Sequence, residues 1–315
     1  MHASNRTTAT APTVVNTDTP IHGGYTEPQM QELFEQACAV LGLDATDPVY
    51  MRGHTSAVLR LANEPVVLKI ARMGTDPSEV QRTVNLVRWL MDLRFPTVAL
   101  YRPDIQPLIL DGHPITLWTY LPQPEHSVSA EAMAKPLRAL HSLSRPPVTL
   151  DGIDMCAGIR DSLERTTILP EDTIRFLHEC VDRLEGALAD VSYEFAHGVL
   201  QGDPQHANAL HSGEGAVLCD WDNAAVGQPE WDLTTVEIQC RRFGYGAQHY
   251  QRFADAYGWD VTRLPGHSVL RDLRELRMIT TFARKARHQP EKIAEAQSRI
   301  YGFRMGDISH RWNTP

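Results

Sequence analysis

The apolar positions of this chain change period twice. From Met30 through Leu33, Phe34, Ala37 and Leu41 they recur every three or four residues, the spacing of one helical face. Thr26, with Gln29 three residues on, predicts a capping box at the start of that helix, and Gly42 marks its end. From Val49 the period shortens to two. Val49–Arg52, Ala57–Ala62 and Val66–Ala71 read as short strands, separated by RGHTS (Arg52 to Ser56) and by Asn63-Glu64-Pro65. Asp76-Pro77-Ser78-Glu79 opens a second helix, with Asp76 as N-cap, Glu79 as its capping-box partner, and Val80, Val84, Val87, Leu90 and Leu93 on one face. Pro107–Leu110 and Pro114–Leu121 then flank Asp111-Gly112, which is hairpin turn chemistry.

Past the run Ile115 to Pro124, where an apolar strand passes into a proline-rich linker, the helical period returns. Helices are expected over Ala130–Leu143 (kinked or delayed by Pro136), Thr173–Leu188, Trp231 to Gly244, Ala247–Tyr257 and Val269–Ala286. Only one stretch of this half breaks the pattern. Val199 to Leu233 reads as a strand entering a loop, then a hairpin about Ser212–Gly215, then a polar turn leading into a helix. The pattern predicts an α+β chain: a small lobe rich in strands, a hinge, and a larger helical lobe holding one hairpin. The expected boundaries are a loosely packed tail over 1–22, a first lobe over 23–118, a hinge over 119–124 and the helical lobe over 125–315.

Composition narrows the function without naming it. At 315 residues, 42% hydrophobic and 22% charged, the chain is an ordinary soluble protein of one large or two modest domains. A net charge of −9 argues against nucleic acid as the main partner and suits a cationic small molecule only weakly. The five scattered cysteines lack a CxxC pair, which points to reduced thiols in a cytoplasm, not a disulfide framework or zinc site. The Thr-rich first twenty residues lack the apolar segment of a signal peptide, and no stretch approaches the roughly 20 residues of a membrane span.

The candidate chemistry sits in the aberrant stretch. Folding the chain symmetrically about Ser212–Gly215 sets Asn208 opposite Cys219, beside Asp220, with Asp203 in the loop that feeds the hairpin. An amide oxygen and a carboxylate are hard ligands that suit Mg²⁺, and a separate carboxylate suits the orientation of an attacking hydroxyl. Each residue alone also has a plain turn or strand-end explanation. Upstream, Lys69 falls among apolar neighbours along its strand. By itself it reads first as an edge-strand charge that blunts aggregation, and alternatively as a lysine reaching the phosphates of a nucleotide.

The order of these parts resembles the aminoglycoside phosphotransferase/choline kinase superfamily. The residues that carry the resemblance are Gln201-Gly202-Asp203-Pro204-Gln205-His206-Ala207-Asn208, Cys219-Asp220-Trp221-Asp222, and Ala224 to Leu233, with the Leu137–Leu143 run in support. It implies a protein-kinase-like bilobal fold and a kinase that moves the γ-phosphate of ATP or GTP to a hydroxyl of a small acceptor. That acceptor could be an aminoglycoside-like or other antibiotic, an amino sugar, or a metabolite such as an amino alcohol. Carried over, Asp203 is the catalytic base, Asn208 and Asp220 hold Mg²⁺, Lys69 meets the nucleotide with Glu79 as its partner, and the backbone of Thr119 and Leu121 meets the adenine edge. Asp232 is expected to brace the catalytic loop. The chain departs from the pattern at Gln201, where the family has histidine; a glutamine both donates and accepts, so the position can still be a structural hydrogen bonder. Asp222 ranks below Asp220 as a ligand, and His197 and His206 read as loop-packing residues because magnesium prefers oxygen. The non-glycine-rich RGHTS turn leaves room for a second class, a nucleotide-binding module without turnover. The resemblance also implies an acceptor pocket built by variable helical segments, for which the candidates are the 151–175 insertion and the helix RDLRELRM (Arg271 to Met278). That helix mixes both charge signs, so it does not declare a polycationic acceptor, and most of its charges read as a solvated face.

Overall fold

The capping box forms as the sequence predicts. In the computed structural model, which describes residues 23–52, 56–213, 215–286 and 289–313, Gln29 N–H donates to Thr26 Oγ1 and Thr26 N–H donates to Gln29 Oε1. Helix α1 (Glu27–Leu41) therefore starts one residue after its cap and closes on Gly42 in the left-handed conformation. Its buried face, including Phe34 and Ala37, packs on a five-stranded antiparallel sheet.

The sheet contains β1 (Val49–Arg52), β2 (Ala57–Arg60), β3 (Val66–Ile70), β4 (Leu108–Leu110) and β5 (His113–Thr119), in the order β1-β2-β3-β5-β4. The β4–β5 turn places Asp111 and Gly112 both at positive φ, 47° and 80°, as a tight two-residue hairpin requires. Lys69 pairs with Val58 on one side and Thr116 on the other. It thus lies on the central strand, and the edge-strand explanation of this lysine fails: both neighbouring ladders are occupied. The RGHTS turn falls largely outside the described residues. Helix α2 (Pro77–Asp92) is capped by the Asp76 carboxylate, which accepts from Ser78 N–H. Its apolar face, Val84, Leu86, Val87 and Leu90, enters the core that carries Trp221 and Leu233 of the second half, tying the two halves together.

After β5 the chain runs extended, with Tyr120 N–H donating to Pro65 O. The second half comprises α3 (Ala130–His141), α4 (Met155–Glu164), α5 (Glu171–Leu188), β6 (Gly198–Leu200), β7 (Ala209–Ser212), β8 (Gly215–Leu218), β9 (Ala225–Gly227), α6 (Glu230–Arg242), α7 (Ala247–Tyr257), α8 (His267–Ala286) and α9 (Ile293–Arg304). Pro136 does not delay α3, because Ser129 Oγ accepts from Ala132 N–H and fixes the start at Ala130. The fold is protein-kinase-like, a small antiparallel sheet lobe on a larger helical one. Three elements were not expected from sequence. Helix α4 lies within the 151–175 insertion, α9 follows a segment of weak apolar period, and β9 is a three-residue strand that pairs with β6. All five cysteines are free, and among the described residues no helix is long and apolar enough to cross a membrane.

Candidate active site

The β7–β8 hairpin closes in the predicted register. Ala209 pairs with Leu218 and Ser212 with Gly215, and Cys219 N–H donates to Asn208 O at 2.9 Å. Asn208 and Asp220 therefore leave the same end of the hairpin. Asp220 adopts φ 59°, a left-handed conformation that a carboxylate residue tolerates at a modest cost and that is typical of functional turns.

The loop before the hairpin is built by buried hydrogen bonds. Asp232, at the start of α6, accepts from Gln201 N–H at 2.8 Å and from Gly202 N–H at 3.0 Å, and meets His141 Nε2 at 3.1 Å. Gln201 is fully buried. Its side-chain amide donates to Cys219 O and Asp220 O, while its Oε1 accepts from Asp203 N–H at 2.7 Å. One glutamine thus joins the catalytic loop to the far end of the hairpin, using both halves of its amide. Gly202 has φ 82°, and a Cβ there would lie 1.9 Å from Asn223 O, so no side chain fits.

Asp203 faces α8. Its Oδ1 accepts from Arg274 Nη2 at 2.8 Å and its Oδ2 from Gln205 Nε2 at 2.9 Å. Desolvation pushes its carboxyl above the ordinary value, and the Arg274 guanidinium opposes that shift. Asn208 donates from Nδ2 to Asp203 O at 2.9 Å, which turns its amide oxygen the other way. That oxygen, Asn208 Oδ1, is buried and has no hydrogen-bond partner among the described residues. An orphaned buried acceptor beside a carboxylate fits a hard divalent cation.

Lys69 reaches across from β3 to the same place. Its Nζ lies 2.8 Å from Asp220 Oδ1 and 2.7 Å from Asp222 Oδ2. Burial alone would lower the ammonium, but these two carboxylates outweigh it and hold its pKa above the ordinary value. Lys69, Asp203, Asn208 and Asp220 are thus brought to one region. Glu79 is not joined to them: it is exposed in the first turn of α2, and among the described residues it makes no ion pair with Lys69. Thr119 is the last residue of β5 and spends its N–H on Ala99 O, whereas Leu121 lies in the extended segment beyond.

The histidines of the loop have structural partners. His197 meets Gln228, and His206 is buried, stacked on Tyr245 and hydrogen-bonded to His249, whose Nε2 also accepts from Ala130 N–H. Burial, then the neighbouring His249 ring, pushes His206 down to about 4, so it is neutral at pH 7. The sequence reading missed Arg274, the partner of Asp203. Its signal is the spacing of cations along RDLRELRM, a helix expected at the acceptor pocket with most of its charges solvated. It also gave no role to His141, although the Leu137–Leu143 run that contains it had been singled out.

A family model described as "Phosphotransferase enzyme family" matches residues 38–273. The chain belongs to that family. It is a small-molecule phosphotransferase of the class that acts on hydroxyl acceptors. By sequence, no curated protein matches it. Among solved structures, the phosphotransferase is similar to the choline kinase LicA from Streptococcus pneumoniae, at 16% identity and a TM-score of 0.62, over 87% of this chain and 99% of that one. It is also similar to the aminoglycoside phosphotransferase APH(3'')-Id from Streptomyces rimosus, at 18% identity and a TM-score of 0.61, over 80% of this chain and 98% of that one. A third relative in fold is the spectinomycin phosphotransferase APH(9)-Ia in complex with ADP and spectinomycin, at 15% identity and a TM-score of 0.59, over 87% of this chain and 92% of that one. The acceptors in those names differ from one another, so the acceptor must be read from this chain's own site.

Proposed function

We propose that this phosphotransferase moves the γ-phosphate of ATP or GTP onto a hydroxyl of a small molecule, with Asp203 as the base. The acceptor oxygen forms a bond to the γ-phosphorus, the bond from that phosphorus to the bridging oxygen breaks, the hydroxyl proton passes to Asp203, and the nucleoside diphosphate leaves. Such transfer needs positioning and charge neutralisation more than covalent chemistry. Gln201 and Asp232 supply the positioning by fixing the loop backbone that leads into Asp203, including its own N–H. Lys69 supplies a cation for the phosphates, held at the site by Asp220 and Asp222. Asn208 Oδ1 and the Asp220 carboxylate are the groups that would hold Mg²⁺, whose chemistry here is to neutralise phosphate charge. The segment beginning at Leu121 is where the adenine edge would lie, since the Thr119 N–H is already committed.

The observation that carries this reading is the orphaned Asn208 Oδ1, buried at the end of the hairpin from which the Lys69-paired Asp220 also leaves, with the amide Nδ2 committed to Asp203 O. Asp220→Asn keeps a residue that tolerates the left-handed backbone but removes one charge. Binding of Mg²⁺ with a non-hydrolysable nucleotide, followed by titration calorimetry, should weaken at least tenfold, or about 1.4 kcal/mol. Unchanged affinity in the variant would remove Asp220 from the metal site.

A further inference from the structure

Helix α8 sorts its mixed charges by face. Taken at 100° per residue, Arg274, Arg277, Arg284 and Lys285 fall on one stripe, while Asp272 and Glu275 lie off it. The acids are spent elsewhere: Glu275 is buried against Arg241 and Arg242, and Asp272 pairs with Arg271. The stripe meets the site at the Arg274–Asp203 ion pair.

This stripe has too few acids. Arg284 is matched by Asp161 of α4 at 3.2 Å, and Lys285 has the Asp203 and Asp220 fields to oppose its burial. Arg277 has no carboxylate at ion-pair distance among the described residues; its Nη1 donates to Gly158 O and, at 2.8 Å, to Ser162 Oγ, both neutral. Burial, then the guanidinium groups of Arg274 and Arg284, brings its pKa down to about 10. Arg274 is 6% exposed and donates to Asp203, and among the described residues its buried Nε has no partner. A purely structural ion pair explains the Arg274–Asp203 contact. It leaves unexplained a buried donor without an acceptor and a second arginine without an acid, each of which is costly unless something arrives to use it.

From these charges we infer that Arg274 and Arg277 form an anion-binding subsite beside Asp203, and that the acceptor carries a carboxylate or phosphate group near the hydroxyl that is phosphorylated. The inference rests on the proposed function in taking Asp203 as the base. Guanidinium groups recognise both anions through paired N–H donors. The same stripe disfavours a polycationic acceptor, whose ammonium groups would face Arg277, which has no carboxylate at ion-pair distance among the described residues. Two clefts, one against Pro146 and His197 and one against Phe195 and Trp259, lie away from Asp203, so charge and not depth marks the acceptor side.

The test uses the full chain and a three-carbon series that spans anionic, neutral and cationic members: glycerate, glycerol phosphate, glycerol and aminopropanediol, with a polycationic aminoglycoside added. The specificity constant should be at least tenfold higher for an anionic member than for glycerol, or about 1.4 kcal/mol. Glycerate against glycerol phosphate tells carboxylate from phosphate. Arg277→Gln should raise KM for the anionic acceptor at least tenfold more than it raises that for glycerol, and an equal change in both would overturn the assignment of Arg277. Higher turnover of the aminopropanediol or the aminoglycoside than of either anion overturns the inference. If no acceptor turns over, inorganic phosphate is titrated into the wild type and into Arg277→Gln and Arg274→Gln, with and without Mg²⁺ and non-hydrolysable nucleotide. Saturable binding that both variants weaken supports the subsite, and absent or unaltered binding overturns it. Failure to bind nucleotide at all would instead refute the phosphotransfer site, and the phosphate titration would still report on the arginines.

Discussion

Replacing Asp232 by alanine isolates how much of this site is held by a single buried carboxylate. Asp232 is 1% exposed and accepts from the backbone N–H groups of Gln201 and Gly202 at 2.8 and 3.0 Å, with His141 Nε2 at 3.1 Å. Each hydrogen bond to a charged acceptor contributes about 1.5–3 kcal/mol, and the alanine leaves both donors buried without partners, so the loss is about 3–6 kcal/mol. That is a large part of the 5–15 kcal/mol by which domains are typically stable, roughly speaking. At about 2 °C per kcal/mol for a chain of this size, the melting temperature should fall by roughly 6–12 °C. Because the two donors immediately precede Asp203 in sequence, the catalytic loop also loses its anchor, and a displacement of about 1 Å lowers turnover on the order of 100-fold. Asp232→Asn retains one acceptor oxygen but turns an NH₂ towards a backbone donor, so it should fall between. Differential scanning calorimetry gives the first quantity and coupled nucleotide turnover the second. An alanine variant that melts within about 1 °C of wild type with unchanged turnover would refute the bracing role.

Further outcomes follow from the same geometry. Gly202→Ala places a Cβ 1.9 Å from Asn223 O at φ 82°, so the loop must move; urea unfolding should show a loss of about 2 kcal/mol or more, and a wild-type midpoint would contradict the close approach. The His206 imidazole, held near about 4 by burial and then by His249, binds its proton more weakly in the folded chain than in the unfolded one at its ordinary 6.5. Its contribution to stability is therefore complete above pH 6.5 and is lost as the pH falls towards 4, up to about 3 kcal/mol. Urea midpoints for wild type and His206→Gln at pH 7, 5.5 and 4 should converge as the pH drops, and parallel curves would exclude His206 as the titrating group.

What was legible in the sequence was local chemistry. Thr26 and Gln29, Asp111-Gly112, and the symmetry of the chain about Ser212–Gly215 each specify a turn or cap from a few neighbouring residues, and each forms as expected. The bracing role of Asp232 and the substitution of a glutamine amide for the family histidine also followed from what those groups can donate and accept. Position in a sheet was not legible. Lys69 reads as an edge charge because its own strand does not reveal that β5 will pair beyond it, from some fifty residues downstream. Nor does a helical segment with both charge signs reveal which sign faces the site. In α8 Glu275 turns to Arg241 and Arg242 of α6, Arg274 to Asp203, and Arg277 and Arg284 to α4, a division set by the elements packed around the helix. Strand β9 escaped notice because three residues carry no period.

The most direct test of the site is the Asp203→Asn variant, assayed for γ-phosphate transfer and, in the same preparation, for binding of Mg²⁺ with a non-hydrolysable nucleotide. Transfer to the best acceptor of the wild type should fall by roughly 10²–10⁴-fold, the usual worth of a general base, while nucleotide affinity stays within about threefold. Turnover like the wild type in that variant would contradict the account.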